Sequence, residues 1–295
     1  MKHPPVTIGM PVYNGAAFIE RAIASISEQD YPNFSVLVSD NASDDGTWEI
    51  LEGWAARDGR IVLVRQAENI GAVGNFRYVL DHSDTGLFLW HAHDDWWEPN
   101  YLEILVGVLQ ENPECDVACG NAVRCMPDGR EKKSIRFPAL PAERVRRVRY
   151  MLSHPEATWF YGLYRAKALS SAQATAEEFS HVWTMDRVMI LEFILNDRVA
   201  GSRETTFFQR TGELSSDRYR PVGASNQLRF LARFSRYHLK ALICCRLSYA
   251  EKALVSLWLV VHLARTAHLR IYKRWIKWPW KRVKMKFSLL LGRKA

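Results

Sequence analysis

Cysteine is scarce and irregularly placed in this 295-residue chain: there are five, with Cys244 and Cys245 adjacent and Cys115, Cys119 and Cys125 lacking zinc-ribbon spacing. This excludes a disulfide framework and leaves reduced, packed thiols in a cytoplasmic protein as the expected state. Long apolar runs are missing as well. Residues 253–264 are uncharged, but that is only 12 residues, against the roughly 20 that a membrane-spanning helix needs. The opening MKHPPVTIGMP has no apolar h-region, so no secretory signal is expected. Internal repeats and low-complexity tracts are lacking too. Acid almost disappears from residues 226–295, which carry 17 Lys and Arg against one acid, Glu251.

What is there supports a folded core. Apolar residues make up 48% of the chain and aromatic residues 12%, which places it among globular rather than disordered proteins. The length allows one large or two modest domains. The net charge of +8 divides unevenly, because residues 1–225 hold 23 bases against 31 acids. An acidic globular domain over 1–225 followed by a basic appendage over 226–295, suited to an anionic partner, is the expected organisation.

Apolar runs at 6–10, 34–38, 61–64 and 87–90 read as strands. Helical stretches at 15–29, 48–56 and 73–80 separate them. The first has Ile19, Ala22, Ile23 and Ile26 on one face, and the second follows a capping-rich turn, Ser43-Asp44-Asp45-Gly46-Thr47. Alternating strands and helices predict an α/β fold, a mostly parallel Rossmann-like sheet with helices on both faces. Ligands in such sheets sit outside the carboxyl ends of the strands. Residues 11–14, 40–41 and 94–95 all fall at such ends. Residues 127–149 read as a polar connection into a helix near 143–152, with further helices at 167–179 and 187–195.

The fourth strand leads into GLFLWHAHDDWWEPN, which delivers Asp94 and Asp95 side by side with no Lys or Arg in the stretch. Two adjacent like charges at a strand end call for a cation. Mg²⁺ or Mn²⁺ bridging a phosphate needs only one or two protein carboxylates. The same segment, His91-Ala92-His93-Asp94-Asp95, resembles the start of the HxHxDH zinc motif of metallo-β-lactamase hydrolases, although Trp96 stands at its sixth position. A zinc-dependent hydrolase is therefore an alternative reading.

Taken together, VTIGMPVYNGAAFIERAIASI, VSDNASDDGT, ENIGAVGNF, HDDWWEP and TWFYGLYR resemble family 2 glycosyltransferases of the GT-A fold over about residues 6–216. The resemblance implies inverting transfer of a sugar from a nucleoside diphosphate donor, expected to be a UDP-sugar, to an acceptor hydroxyl. It implies that Asp95 ligates Mn²⁺ or Mg²⁺, with Asp94 beside the ribose or a metal water. Asp40 would accept from the base ring, and Pro11, Val12, Tyr13 and Asn14 would wall the nucleotide pocket. Asn69, Gly71 and Asn75, in the asparagine-glycine segment, and Arg210, near the diphosphate, complete the donor set. Asp186, ahead of a helix, would be the base, with Glu177, Glu178 and Glu192 as fallbacks. The family often has a further acid just before its Asp pair, where Ala92 and His93 stand here.

In the basic segment, Arg229, Arg233, Arg236 and Lys240 lie within about 60° of helical arc beside Phe230, Phe234, Tyr237 and Ala241. Residues 270–278 repeat the arrangement. Basic stripes flanked by aromatics suggest helices lying on an anionic membrane surface, with a solvated face on a core helix and a nucleic-acid surface as the other readings. The expected partners are a nucleotide-sugar donor, a glycan or polyprenyl-linked acceptor and the inner face of the cell membrane, with no nucleic acid. A catalytically silent nucleotide-sugar or nucleic-acid binder is the non-enzymatic alternative.

Overall fold

The computed structural model describes residues 3–177, 183–211 and 220–266. The chain begins with β1 (Val6–Val12), α1 (Ile19–Ser27), β2 (Phe34–Asp40), α2 (Thr47–Ala55), β3 (Ile61–Arg65), α3 (Gly71–Asp81) and β4 (Leu87–Trp90). All seven residues of β1, Thr7 included, and all four of the wholly apolar β4 are buried, as expected of strands covered on both faces. β2 and β4 flank β1 in parallel, and β3 extends the edge beyond β2.

The sheet then changes character. It continues with β5 (Trp96–Trp97), α4 (Tyr101–Glu111), β6 (Val117–Cys125), β7 (Glu131–Ile135), α5 (Arg144–Ser153), a 3-10 turn (Ala157–Tyr161) and β8 (Leu163–Arg165). After these come α6 (Ala166–Glu177), α7 (Met185–Leu195), β9 (Val199–Arg210), α8 (Ala224–Cys244) and α9 (Tyr249–Thr266). The order is β3-β2-β1-β4-β8-β6-β9-β5, with β7 paired to β6. β8 is antiparallel to both β4 and β6, and β5 is antiparallel to β9, so the expected parallel half is joined to a mixed half. Residues 127–149, read from sequence as a connection, instead contain β7, a charged edge strand whose sequence EKKSI carries no apolar alternation.

Residues alternate between two cores across the sheet. Leu87 and Leu89 of β4 pack with β1, α1 and α4, whereas Phe88 and Trp90 pack with α3, α5 and α7. Trp90 anchors the second core: its ring stacks on Phe160 at 4.7 Å and its indole N–H donates to the Phe76 carbonyl at 3.0 Å.

The boundary drawn at 225/226 does not interrupt this second core. Phe230, Phe234, Tyr237, Ala241 and Leu242 of α8, with Val255 and Leu259 of α9, belong to it. The stripe expected to face a membrane is thus the stripe that faces α7, while Arg229, Arg233, Arg236 and Lys240 remain exposed. The pattern that marks an interfacial helix also marks a helix docked on a domain, and only the partner tells them apart. Residues 270–278 lie outside the described residues.

Candidate active site

At the carboxyl ends of β1, β2 and β4 three loops meet, those after β1 and β2 joined by hydrogen bonds. The Asn41 N–H donates to the Val12 carbonyl at 2.9 Å. Asn14, at φ 49°, donates from its amide to Asp44 at 2.9 Å and accepts the Asp44 N–H at 3.1 Å. The Gly15 N–H reaches Thr47 Oγ1 at 2.8 Å and the Ala16 N–H reaches Asp45 at 3.1 Å. The β4 loop closes on the same point, because a Cβ on Gly15 would lie 2.6 Å from His93. Glycine is required there by close approach, not by an unusual dihedral.

Asp40 ends β2 and is fully buried. Its carboxylate accepts from the Ser43 hydroxyl and main-chain N–H and pairs with Arg65 at 3.4 Å. Pro11 and Val12 are buried within β1, and Tyr13 is 42% exposed. Asn75 is buried and internally satisfied: its amide donates to the Val12 and Ser39 carbonyls at 3.3 and 2.8 Å and its oxygen accepts from Ser39. Asn69 links the Asn41 amide to the Gly71 N–H, where Gly71 takes φ 79° to start α3. These asparagines therefore tie α3 to the ends of β1 and β2.

Asp94 and Asp95 lie in the loop between β4 and β5. Asp95 is buried, and one carboxylate oxygen accepts the Arg210 N–H at 2.8 Å. Burial, and then the neighbouring Asp94 charge, push its carboxyl well above the usual range, only partly opposed by Arg210. Burial holds His93 below the ordinary imidazole value against the pull of Asp94 and Asp45. Arg210 also donates from Nε to the Asp94 carbonyl at 3.4 Å and lies 4.7 Å over the Phe18 ring. Arg21, which the sequence did not single out, stacks 3.4 Å over Trp96, and its pKa is lowered by burial and then by Arg210. Arg210 thus contacts both members of the acidic pair, and Arg21 shares the Trp96 ring with it.

A cation fits here on chemical grounds. The donor set is hard oxygen, and the pair's charge is incompletely offset by the protein, which suits Mg²⁺ or Mn²⁺ shared with a phosphate. A zinc site does not fit. His91 is fully buried edge-on to Trp97, its Nδ1 at 2.7 Å from the Ala92 carbonyl, with a pKa pushed down by burial to about 3. Among the described residues no three His, Cys, Asp or Glu side chains form a metal-holding group. The HAHDD zinc reading is therefore corrected: alternation along the chain sends His91 into the core.

Asp186 lies in the first turn of α7, after Thr184 at φ 69°. Burial raises its carboxyl above the ordinary value, with Glu156 adding and Arg187 opposing. The Tyr161 phenol is pushed well upward by burial and then by the charges of Asp95, Asp94 and Asp186. Neither Tyr161 nor Glu156 was picked out in the sequence, although both lie in or beside the TWFYGLYR segment. Of the fallback bases, Glu178 lies outside the described residues.

The model of Glycosyl transferase family 2 matches residues 7–172, more than half of the chain. The chain belongs to that family. Among curated family members, it is 31% identical over 108 residues to a putative teichuronic acid biosynthesis glycosyltransferase, TuaG, of Bacillus subtilis, covering 37% of this chain and 43% of that protein. It is 32% identical over 108 residues to the UDP-Glc:alpha-D-GlcNAc-diphosphoundecaprenol beta-1,3-glucosyltransferase WfgD of Escherichia coli, covering 36% and 42%. The matched stretch thus spans less than half the length of these curated relatives. S. aureus TarS in complex with UDP-GlcNAc superposes with a TM-score of 0.67 at 16% identity over 88% of this chain and 73% of that one. The mannosyltransferase PcManGT of Pyrobaculum calidifontis, in complex with GDP-Man and Mn²⁺, gives 0.53 at 17% identity over 99% and 88%. These likenesses show that the family 2 chain has the GT-A fold.

Proposed function

We propose that this chain is an inverting, metal-dependent hexosyltransferase. It moves a sugar from a nucleoside diphosphate donor, probed first as a UDP-sugar, to the hydroxyl of a lipid-linked or polysaccharide acceptor in cell-surface glycan synthesis. The observation that carries this reading is the hydrogen-bonded pairing of the β1 and β2 loops against the β4 loop, which brings the buried Asp95, held by the Arg210 N–H, and its neighbour Asp94 to the same strand ends. Tyr13 offers the exposed ring of the donor pocket. Asp40, Asn14, Asn69, Gly71 and Asn75 hold the loops around it, with Pro11 and Val12 as the floor.

Asp95 and Asp94 would hold Mn²⁺ or Mg²⁺, which when bound offsets charge on the leaving diphosphate. Arg210 and Arg21 add positive charge on the same side. Asp186 takes the proton from the acceptor hydroxyl as that oxygen bonds the anomeric carbon. A carboxyl raised by burial is a stronger base, and transfer should fall on the acid side at a pH above the ordinary Asp value of about 3.9. Asp186→Asn should keep nucleotide affinity and lose transfer by about a hundredfold or more. An active Asn variant rules Asp186 out.

The same reading extends to the cytoplasmic membrane surface through 226–295. In α8 and α9, Leu228, Leu239, Ile243, Leu254 and Leu257 are more than half exposed alongside the arginine stripe, and no helix among the described residues is long and apolar enough to cross a membrane. Exposed leucines beside basic residues suit peripheral attachment. Sedimentation with anionic liposomes tests it, and a full-length protein left in the supernatant ends this part of the proposal.

A further inference from the structure

A second concavity, about 430 Å³ in volume, opens beside α7, and no residue of the three donor loops lines it. Its charged lining is lopsided: Arg124, Lys133, Arg136, Arg187 and Arg265 against the single acid Glu156. The β6–β7 hairpin supplies the first three cations, α7 supplies Arg187, and the end of α9 supplies Arg265. Glu156 is shared by Arg124 and Lys133, the latter at 3.9 Å. Arg187 donates to the Thr266 carbonyl at 2.9 Å, which draws the end of α9 to the cavity. Arg136 and Arg265 are exposed and have no ionic partner among the described residues. Packing five cations around one carboxylate is unfavourable in isolation, and guanidinium forks match phosphate oxygens.

The position of the cavity gives it a role. Arg187, which lines the cavity, directly follows Asp186 in the first turn of α7. An anion held against Arg187 would lie one residue along α7 from Asp186. We propose that this cavity is the acceptor subsite for a phosphate or diphosphate group, so that the acceptor is itself phosphorylated. The assignment rests on Asp186 marking the acceptor side. Arg136 and Arg265 supply the attraction, and Arg124 and Lys133, preset by Glu156, supply orientation.

The test uses the full chain in EDTA, with inorganic pyrophosphate as probe and titration calorimetry as readout. Arg136→Glu combined with Arg265→Glu should weaken pyrophosphate binding about tenfold or more, whereas Asp95→Asn should bind it as the unaltered chain does. Nucleoside diphosphate binding with Mn²⁺, measured on the same double variant, reports independently on the fold and the donor site. Vesicles of phosphatidylcholine with and without phosphatidylglycerol separate a soluble phosphate from a lipid surface. Unchanged pyrophosphate affinity in the double variant overturns the proposal, as does a loss confined to phosphatidylglycerol vesicles, or a loss that instead follows Arg210→Ala. Pyrophosphate binding that behaves as expected in a chain that turns over no nucleotide sugar would leave this site standing and remove the transferase reading.

Discussion

Asp94 and Asp95 are chemically identical neighbours in different surroundings: Asp94 is half-buried, and Asp95 is buried with one oxygen committed to the Arg210 N–H. Removing the buried charge relieves repulsion from Asp94, so Asp95→Asn should raise the melting temperature of the metal-free protein. The same change should reduce sugar transfer by about a hundredfold or more, which melting curves and initial rates with Mn²⁺ check together. Gly15 sets the approach of His93, at 2.6 Å from where a Cβ would stand. Gly15→Ala should leave folding intact and weaken nucleotide binding several-fold, about 1 kcal/mol by the usual conversion, because the β4 loop must retreat from the β1 loop.

At the scale of elements, α3 is positioned by Asn75, whose amide and carbonyl are both occupied by β1 and β2. Asn75→Ala removes one hydrogen-bond partner each from the Ser39 hydroxyl and the Val12 and Ser39 carbonyls and should cost about 1–3 kcal/mol, read from urea midpoints. α8 depends on Phe234, which is fully buried against α7. Phe234→Ala should destabilise the protein by about 3–5 kcal/mol, an amount that a free appendage would not register. The strands β1, β2, β3 and β4 were readable because each is a short apolar run bounded by turn residues. β7 and β9 were not, since EKKSI and VAGSRETTFFQR owe their strand state to pairing with β6 rather than to local pattern.

Across the whole molecule, the helices of residues 224–266 complete the core, so truncation at residue 225 should give an aggregating, unfolded product, whereas truncation after Thr266 should remain folded. Circular dichroism of the two fragments checks this. Acid should destabilise the same region. His238 and His262 are buried 5.4 Å apart between α8 and α9. Burial pushes both down, His262 to about 4, with His262 further lowering His238 and Arg187 further lowering His262. The unfolded chain binds both protons near pH 6.5, whereas folded His262 does so only near 4 and folded His238 well below its ordinary value, so this contribution is full above about 6.5 and is lost progressively as pH falls. For His262 alone the loss is on the order of 3 kcal/mol, and replacing both histidines with leucine should flatten the profile.

Residues 6–100 determined their own outline, because strand, loop and helix there alternate over short distances and each loop ends a strand that pairs with its near neighbour. The three loop ends at 11–14, 40–41 and 94–95 could therefore be assigned to the carboxyl end of one sheet from the sequence itself. Tertiary structure decided the rest. Arg21 and Arg210 over one Trp96 ring, Tyr161 stacked on Phe207, and His91 turned into the core depend on contacts between elements far apart in the chain. So does the fate of the apolar stripe on α8: Phe230, Phe234 and Tyr237 carry the same helical periodicity whether they meet a membrane or α7. Periodicity specifies a face, and only the packed neighbours determine what that face covers.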